Sequence, residues 1–117
     1  MQFSFTFVEE IYHMILIADS GSTKCNCAAC SNDGEIIQIH KTVGFNPKYT
    51  SDKNLLEALE ESTLNPIKEK ITTIHFYGSG CSSTARNRIL AKPMQKFFTH
   101  ANIDIKHDLD ADPLLKI

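Results

Sequence analysis

The chain has 117 residues, 42% of them apolar and 22% charged, and a formal net charge of −2. That length predicts one domain with a core of ordinary size. The absence of a basic stripe argues against nucleic acid as a partner, and no apolar run is long enough to span a bilayer.

Met1–His13 lacks the basic start and cleavage site of a signal peptide. Four cysteines in a chain with no other staple suggest a reducing cytoplasm. Phe3, Phe5 and Phe7 alternate with polar residues. The opening segment is therefore either an extra strand or a weakly packed extension.

Ile15–Ala18 reads as a short strand, apolar on both faces, inside a strand spanning 14–19. Asp19 stands where that strand leaves the core, and Ser20-Gly21-Ser22-Thr23-Lys24 follows. Gly21 tolerates a positive φ, so the turn can be tight. Such a turn aims backbone N–H groups and hydroxyls at one point, which makes an anion nest suited to phosphate. Asp19 beside it can hold Mg²⁺ through water, because Mg²⁺ takes few carboxylates and keeps most of its waters. An ordinary β-hairpin turn explains the same residues.

Strands are expected over 24–31 and 35–41, joined by the hairpin turn Ser31-Asn32-Asp33-Gly34. Cys25, Cys27 and Cys30 fall in the first of these. Strand alternation puts Cys27 and Cys30 on opposite faces, so they neither bridge nor share a metal. His40 reads as a sheet-edge residue rather than a ligand. Gly44-Phe45-Asn46-Pro47 is a loop by composition, a turn before a helix.

Thr50 or Ser51 caps a helix over 52–64, with Leu55, Leu56 and Leu59 as its apolar stripe. Asn65-Pro66 ends it. Ile71–Tyr77 is the next strand, burying Ile71, Ile74 and Phe76. Gly78-Ser79-Gly80-Cys81 is a second glycine loop, and Ser82 or Ser83 caps a helix that presents Ile89, Leu90, Met94, Phe97 and Phe98 to a core. Pro93 is expected to kink or split that helix. A last strand covers 103–107 with Asp108 at its end, and Asp112-Pro113 reads as the cap and first residue of a further helix.

The order is βββαβαβ, with the first, fourth and fifth strands expected to run parallel. Asp19, Gly78-Ser79-Gly80 and Asp108 then share the carboxyl ends of parallel strands, where ligands collect in such sheets.

The string Asp19-Ser20-Gly21-Ser22-Thr23-Lys24 resembles the first phosphate motif of the actin-like ATPase and sugar-kinase superfamily. The longer string from Met14 to Lys24 is most similar to bacterial BadF/BadG-type ATPases and N-acetylglucosamine kinases. It does not resemble a Walker A loop. The resemblance covers roughly residues 14 to 112, and it implies an α/β fold of the ribonuclease H-like half-domain type, with a mixed five-stranded sheet and helices packed on it. Residues 1–13 would then be an N-terminal extension and 14–117 an N-terminal lobe lacking its second lobe.

The resemblance further implies ATP and Mg²⁺ as cofactors, the Asp19–Lys24 loop on the phosphates, and an amino sugar such as N-acetylglucosamine as acceptor. Asn46 would lie near the sugar pocket. Gly78, Ser79 and Gly80 would border it, with Ser79 replacing the family's usual alanine. Asp108 would be the base that takes the proton from the sugar hydroxyl.

After Asp108 the chain departs from the family, with two more carboxylates and a proline where a small-residue helix is usual. The second phosphate motif and the adenosine-binding glycines are not in this sequence. One lobe alone is therefore expected to be inactive and to self-associate through the face its partner lobe would cover. A catalytically silent binding module of the same fold is the alternative. An activator ATPase of a radical dehydratase ranks last, because its cluster cysteines would lie between lobes.

Overall fold

The structure is a computed structural model that describes residues 13–21, 23–47 and 51–107. Residues 1–12 of the expected 1–13 extension, the candidate ligand Ser22, the candidate cap Thr50, the candidate base Asp108 and the Asp112-Pro113 helix start lie outside the described residues.

Strands β1 (Met14–Ser20), β2 (Lys24–Cys30) and β3 (Ile36–Val43) come first. Helix α1 (Asp52–Glu61) and a short 3-10 helix (Asn65–Lys70) lead to β4 (Ile71–Gly78). Helix α2 (Thr84–Phe97) leads to β5 (Asn102–His107). They build one five-stranded sheet in the order β3-β2-β1-β4-β5. The β1–β2 and β2–β3 pairs are antiparallel, and β1–β4 and β4–β5 are parallel. This mixed sheet with βββαβαβ order is the arrangement expected of a ribonuclease H-like half-domain.

Alternation decides which face is dry. Met14, Leu16 and Ala18 of β1 join Cys25, Cys27 and Ala29 of β2 and Ile74 and Phe76 of β4 in one core. Leu55 and Leu59 of α1 and Leu90, Met94 and Phe97 of α2 close it from the other side. Both helices therefore lie on one face of the sheet. Each fully buried Leu, Ile or Phe contributes about 1.5–3 kcal/mol of transfer free energy. Among the described residues, none of the helices lies on the opposite face, which carries Ile15, Ile17 and Asp19.

Helix α1 ends three residues before the expected boundary, and the cause is local. The Ser62 hydroxyl donates to the Leu59 carbonyl at 2.6 Å and accepts the Leu64 N–H at 3.2 Å. A serine that satisfies the backbone in this way competes with the next helical turn. Pro66 then fits the opening of the 3-10 helix, an element the sequence reading did not anticipate. Helix α2, by contrast, runs unbroken through Pro93, whose ring is buried. The carbonyl that loses its donor belongs to Ile89, which is 44% exposed. Water can satisfy it there, and Ile89 lies outside the core where the sequence pattern placed it inside.

His40 lies on the edge strand, yet its ring is buried. Nδ1 pairs with the Thr63 hydroxyl at 2.6 Å and Nε2 with the Gln38 amide oxygen at 3.0 Å. The oxygen of Gln38 requires Nε2–H as donor, so Nδ1 accepts from Thr63. Burial lowers the pKa of His40 below its usual value. The unfolded chain therefore binds the proton more readily than the folded one, and the stability from neutral His40 is complete above the unfolded value. We expect stability to fall as pH drops below about 6.5. Urea midpoints across pH 5 to 7.5 should show this slope, weakened in His40→Gln. An unchanged slope would assign the acid sensitivity to other groups.

Candidate functional site

β1, β4 and β5 end at the same level, with Ser20 in register with Gly78 and Gly78 in register with His107. Three loops therefore meet at one end of the sheet: β1–β2, β3–α1 and β4–α2. Residue 108, the expected base, follows His107 directly in the chain.

Ser20 joins these loops. It is fully buried, its hydroxyl accepts the Phe45 N–H at 2.8 Å and donates to the Gly21 carbonyl at 3.2 Å. Its own carbonyl accepts the Ser79 N–H at 3.0 Å. The hydroxyl expected on a phosphate is thus engaged within the chain. The sequence held the signal for this: Met14, Leu16, Ala18 and Ser20 share one parity, and that parity faces the core.

Removing the hydroxyl leaves the Phe45 N–H buried without an acceptor. Ser20→Ala should cost about 1–3 kcal/mol, seen as a lower melting temperature. An unchanged melt would mean that water reaches Phe45.

Asn46 is 7% exposed and packs directly against Gly80, so two residues expected on the acceptor side touch each other. The Cys81 N–H donates to the Gly78 carbonyl at 3.2 Å, and Gly80 has φ +79°. These are the features of a type II turn with glycine at its third position. A Cβ at Gly78 would come within 2.6 Å of Phe76 Cε1 and 2.9 Å of Cys81 Sγ, so glycine there is a packing requirement. The Ser79 hydroxyl is buried with no partner among the described residues.

The Ser20–Lys24 turn is a β-hairpin. The Gly21 N–H donates to the Lys24 carbonyl at 2.9 Å, which removes one donor from an anion nest. Positive φ occurs at Gly34 and Gly80, not at Gly21, so the turn after β1 closes without the left-handed glycine expected there. A Cβ at Gly21 would meet nothing closer than the Lys24 carbonyl oxygen, at 3.6 Å. The fold leaves this position open. Asp19, Thr23 and Lys24 are exposed at the same end of the sheet. Asp19 and Lys24 form no ion pair among the described residues.

The four cysteines are buried and form no disulfide. Cys25 and Cys27 share the core face, with sulfurs 3.6 Å apart. Hydrogen bonding to Cys25 and burial push the Cys27 thiol up. A protonated, enclosed thiol is neither a nucleophile nor a ligand. Cys30 pairs with Ile15 on the other face, after a bulge, which is the separation from Cys27 that alternation required. Among the described residues, no three His, Cys, Asp or Glu side chains gather as a metal site. A single carboxylate holding hydrated Mg²⁺ needs no such cluster.

Beside the second glycine loop lies a groove of about 500 Å³ between the start of α2 and the end of β5, lined by Cys81, Ser82, Ser83, Asn87, Lys106 and His107. The Asn87 amide donates to the Ile105 carbonyl at 3.2 Å, and its oxygen has no partner among the described residues. The sequence reading missed Asn87 and Lys106, because only the packing of α2 on β5 brings them together. Ser83 caps α2 through the Arg86 N–H.

No family model matches the chain, and no curated protein matches it. Among solved structures, the chain is similar to an RNase H1 from the halophilic archaeon Halobacterium salinarum NRC-1. The two share 12% identity over 80% of this chain and 83% of that one, with a TM-score of 0.44. None of the helices among the described residues is long and apolar enough to cross a membrane.

Proposed function

We propose that this chain is the N-terminal lobe of an ATP-dependent sugar kinase, in the manner of the BadF/BadG-type proteins and N-acetylglucosamine kinases it resembles. The acceptor would be an amino sugar such as N-acetylglucosamine. The observation that carries the proposal is the meeting of three loops around Ser20. It brings the Asp19–Lys24 turn to the same sheet end as Asn46 and Gly78–Gly80. Phosphoryl transfer needs phosphate charge neutralised and an acceptor held in line beside it, and these two loop sets would divide that task.

Within the phosphate loop, Lys24 supplies charge. Thr23 and Ser22 supply donors, Gly21 allows close backbone approach, and Ser20 acts by fixing the turn. The exposed carboxylate of Asp19 fits a hydrated Mg²⁺, which would neutralise phosphate charge when bound. Asn46 and the second glycine loop shape the acceptor side.

A second reading, a catalytically silent binding module of the same fold, is favoured by one observation. The Ser20 hydroxyl and the Gly21 N–H are already spent inside the chain, so fewer donors face a ligand.

Nuclear magnetic resonance titration with Mg-ATP tests the proposal, together with a coupled assay on N-acetylglucosamine. We expect weak, millimolar binding that shifts the amides of Asp19, Gly21, Thr23 and Lys24, and no sugar phosphate from this chain alone. In this superfamily the nucleotide sits between two lobes whose closure excludes water, and phosphate contacts in an open groove are screened. Shifts confined to other loops, or none at millimolar nucleotide, would remove the phosphate site. Micromolar affinity or measurable sugar phosphate would show that one lobe suffices.

A further inference from the structure

We infer that the groove between α2 and β5 docks an extended acidic segment of a partner protein, added as a strand to the β5 edge. The groove of about 500 Å³ at the start of α2 continues into a second hollow of about 240 Å³. The two share Thr84, Asn87 and Ile105, and the second adds Arg88, Ala91 and Ile103. Together they follow β5 from Ile103 to His107, a length that takes about five residues of extended chain. β5 is the last strand on its side of the sheet, so one row of its backbone groups meets no described strand. A segment laid along it finds main-chain partners at the edge and room for alternate side chains in the groove, the general mode of strand addition.

Asn87 already serves this edge as one peptide unit of an added strand would. Its amide donates to the Ile105 carbonyl at 3.2 Å, while its oxygen is buried with no partner among the described residues. A buried acceptor left unpaired is costly, and a backbone N–H of the docked segment is the group it lacks.

Charge selects the occupant. α2 carries Arg86, Arg88, Lys92 and Lys96 and no carboxylate. Arg88, Lys92 and Lys96 recur every fourth residue, so they stand in one row along the helix, and Arg88 lines the groove. All three are exposed, and none forms an ion pair among the described residues. Beside this row, Ala91, Ile103 and Ile105 make the groove apolar. An extended chain with carboxylates on one face and apolar side chains on the other complements both. No aromatic ring lines the groove to stack a base, which favours a peptide over a nucleic acid. The inference does not depend on the kinase proposal.

The test probe is an eight-residue peptide alternating Glu and Val, titrated into the full chain and followed by the amide resonances. Saturable shifts are expected at Asn87, Arg88, Ile103 and Ile105, with affinity falling as salt rises. Arg88→Glu/Lys92→Glu should weaken this peptide by about tenfold and strengthen its Lys-Val counterpart, which a merely unfolded variant cannot do. The Glu-Val peptide methylated on every backbone nitrogen should not bind. No shift at millimolar peptide, equal affinity for the two peptides, or undiminished binding of the methylated one would each overturn the inference. So would tighter binding of a single-stranded oligonucleotide at the same amides. Peptide binding that appears only in Asp108→Asn/Asp110→Asn/Asp112→Asn would assign the groove to this chain's own acidic segment and overturn the inference too.

Discussion

Gly80→Ala should lower the melting temperature by about 10–20 °C, the shift expected for about 2–4 kcal/mol in a domain of this size. Two costs add. A positive φ at a residue with a Cβ costs about 1–3 kcal/mol. The new methyl would also collide with the Asn46 side chain, which is buried against the second glycine loop. Asn46 cannot withdraw cheaply, because its neighbour Phe45 is held by the Ser20 hydroxyl at 2.8 Å. Ser79→Ala in the same turn is the control. The Ser79 hydroxyl has no partner among the described residues, so its removal should be neutral or slightly stabilising. Thermal melts of both variants decide the point. Equal melting temperatures would mean that the turn can flip to a form in which position 80 needs no glycine.

The sheet was legible in the sequence because its strands are short apolar runs bounded by turn residues. Met14, Leu16 and Ala18, or Ile71, Ile74 and Phe76, announce a buried strand without help from distant residues. The Asn32-Asp33-Gly34 turn was legible for a similar reason: Gly34 adopts φ +90° within a turn closed by its own N–H to the Ser31 carbonyl at 3.0 Å. The end of α1 was not legible. Proline at 66 drew the expected boundary, whereas the Ser62 hydroxyl, a weaker sequence signal, had already satisfied the Leu59 carbonyl.

The site was legible as a set of chain positions and not as a set of contacts. Strand order alone places Asp19 and Gly78–Gly80 at one end. That Ser20 faces inward was available from parity, but its acceptor role depends on where the loop after β3 returns. That Asn46 rests on Gly80 depends on two loops distant in sequence, and no local pattern encodes it. The left-handed glycine sits in the second loop, not the first, because the hairpin after β1 closes without one.

On the proposed reading, Asp108→Asn should lower the rate of sugar phosphorylation by about 10²–10⁴ in a two-lobed kinase that contains this lobe, the contribution typical of a general base. Asparagine keeps the shape of the side chain and can still hydrogen-bond the acceptor hydroxyl, but it cannot take up the proton. Nucleotide affinity should stay within a few-fold, because the phosphates and Mg²⁺ are assigned to the Asp19–Lys24 loop. The position is apt for this division. His107 closes β5 in register with Gly78, and Gly78 in register with Ser20, and Asp108 is the next residue in the chain. The readout is the split between turnover and affinity, supported by the pH profile, whose acidic limb should vanish with the carboxylate. Turnover close to the parent enzyme, with that limb intact, would remove Asp108 from the chemistry and leave it as a carboxylate at the end of a strand.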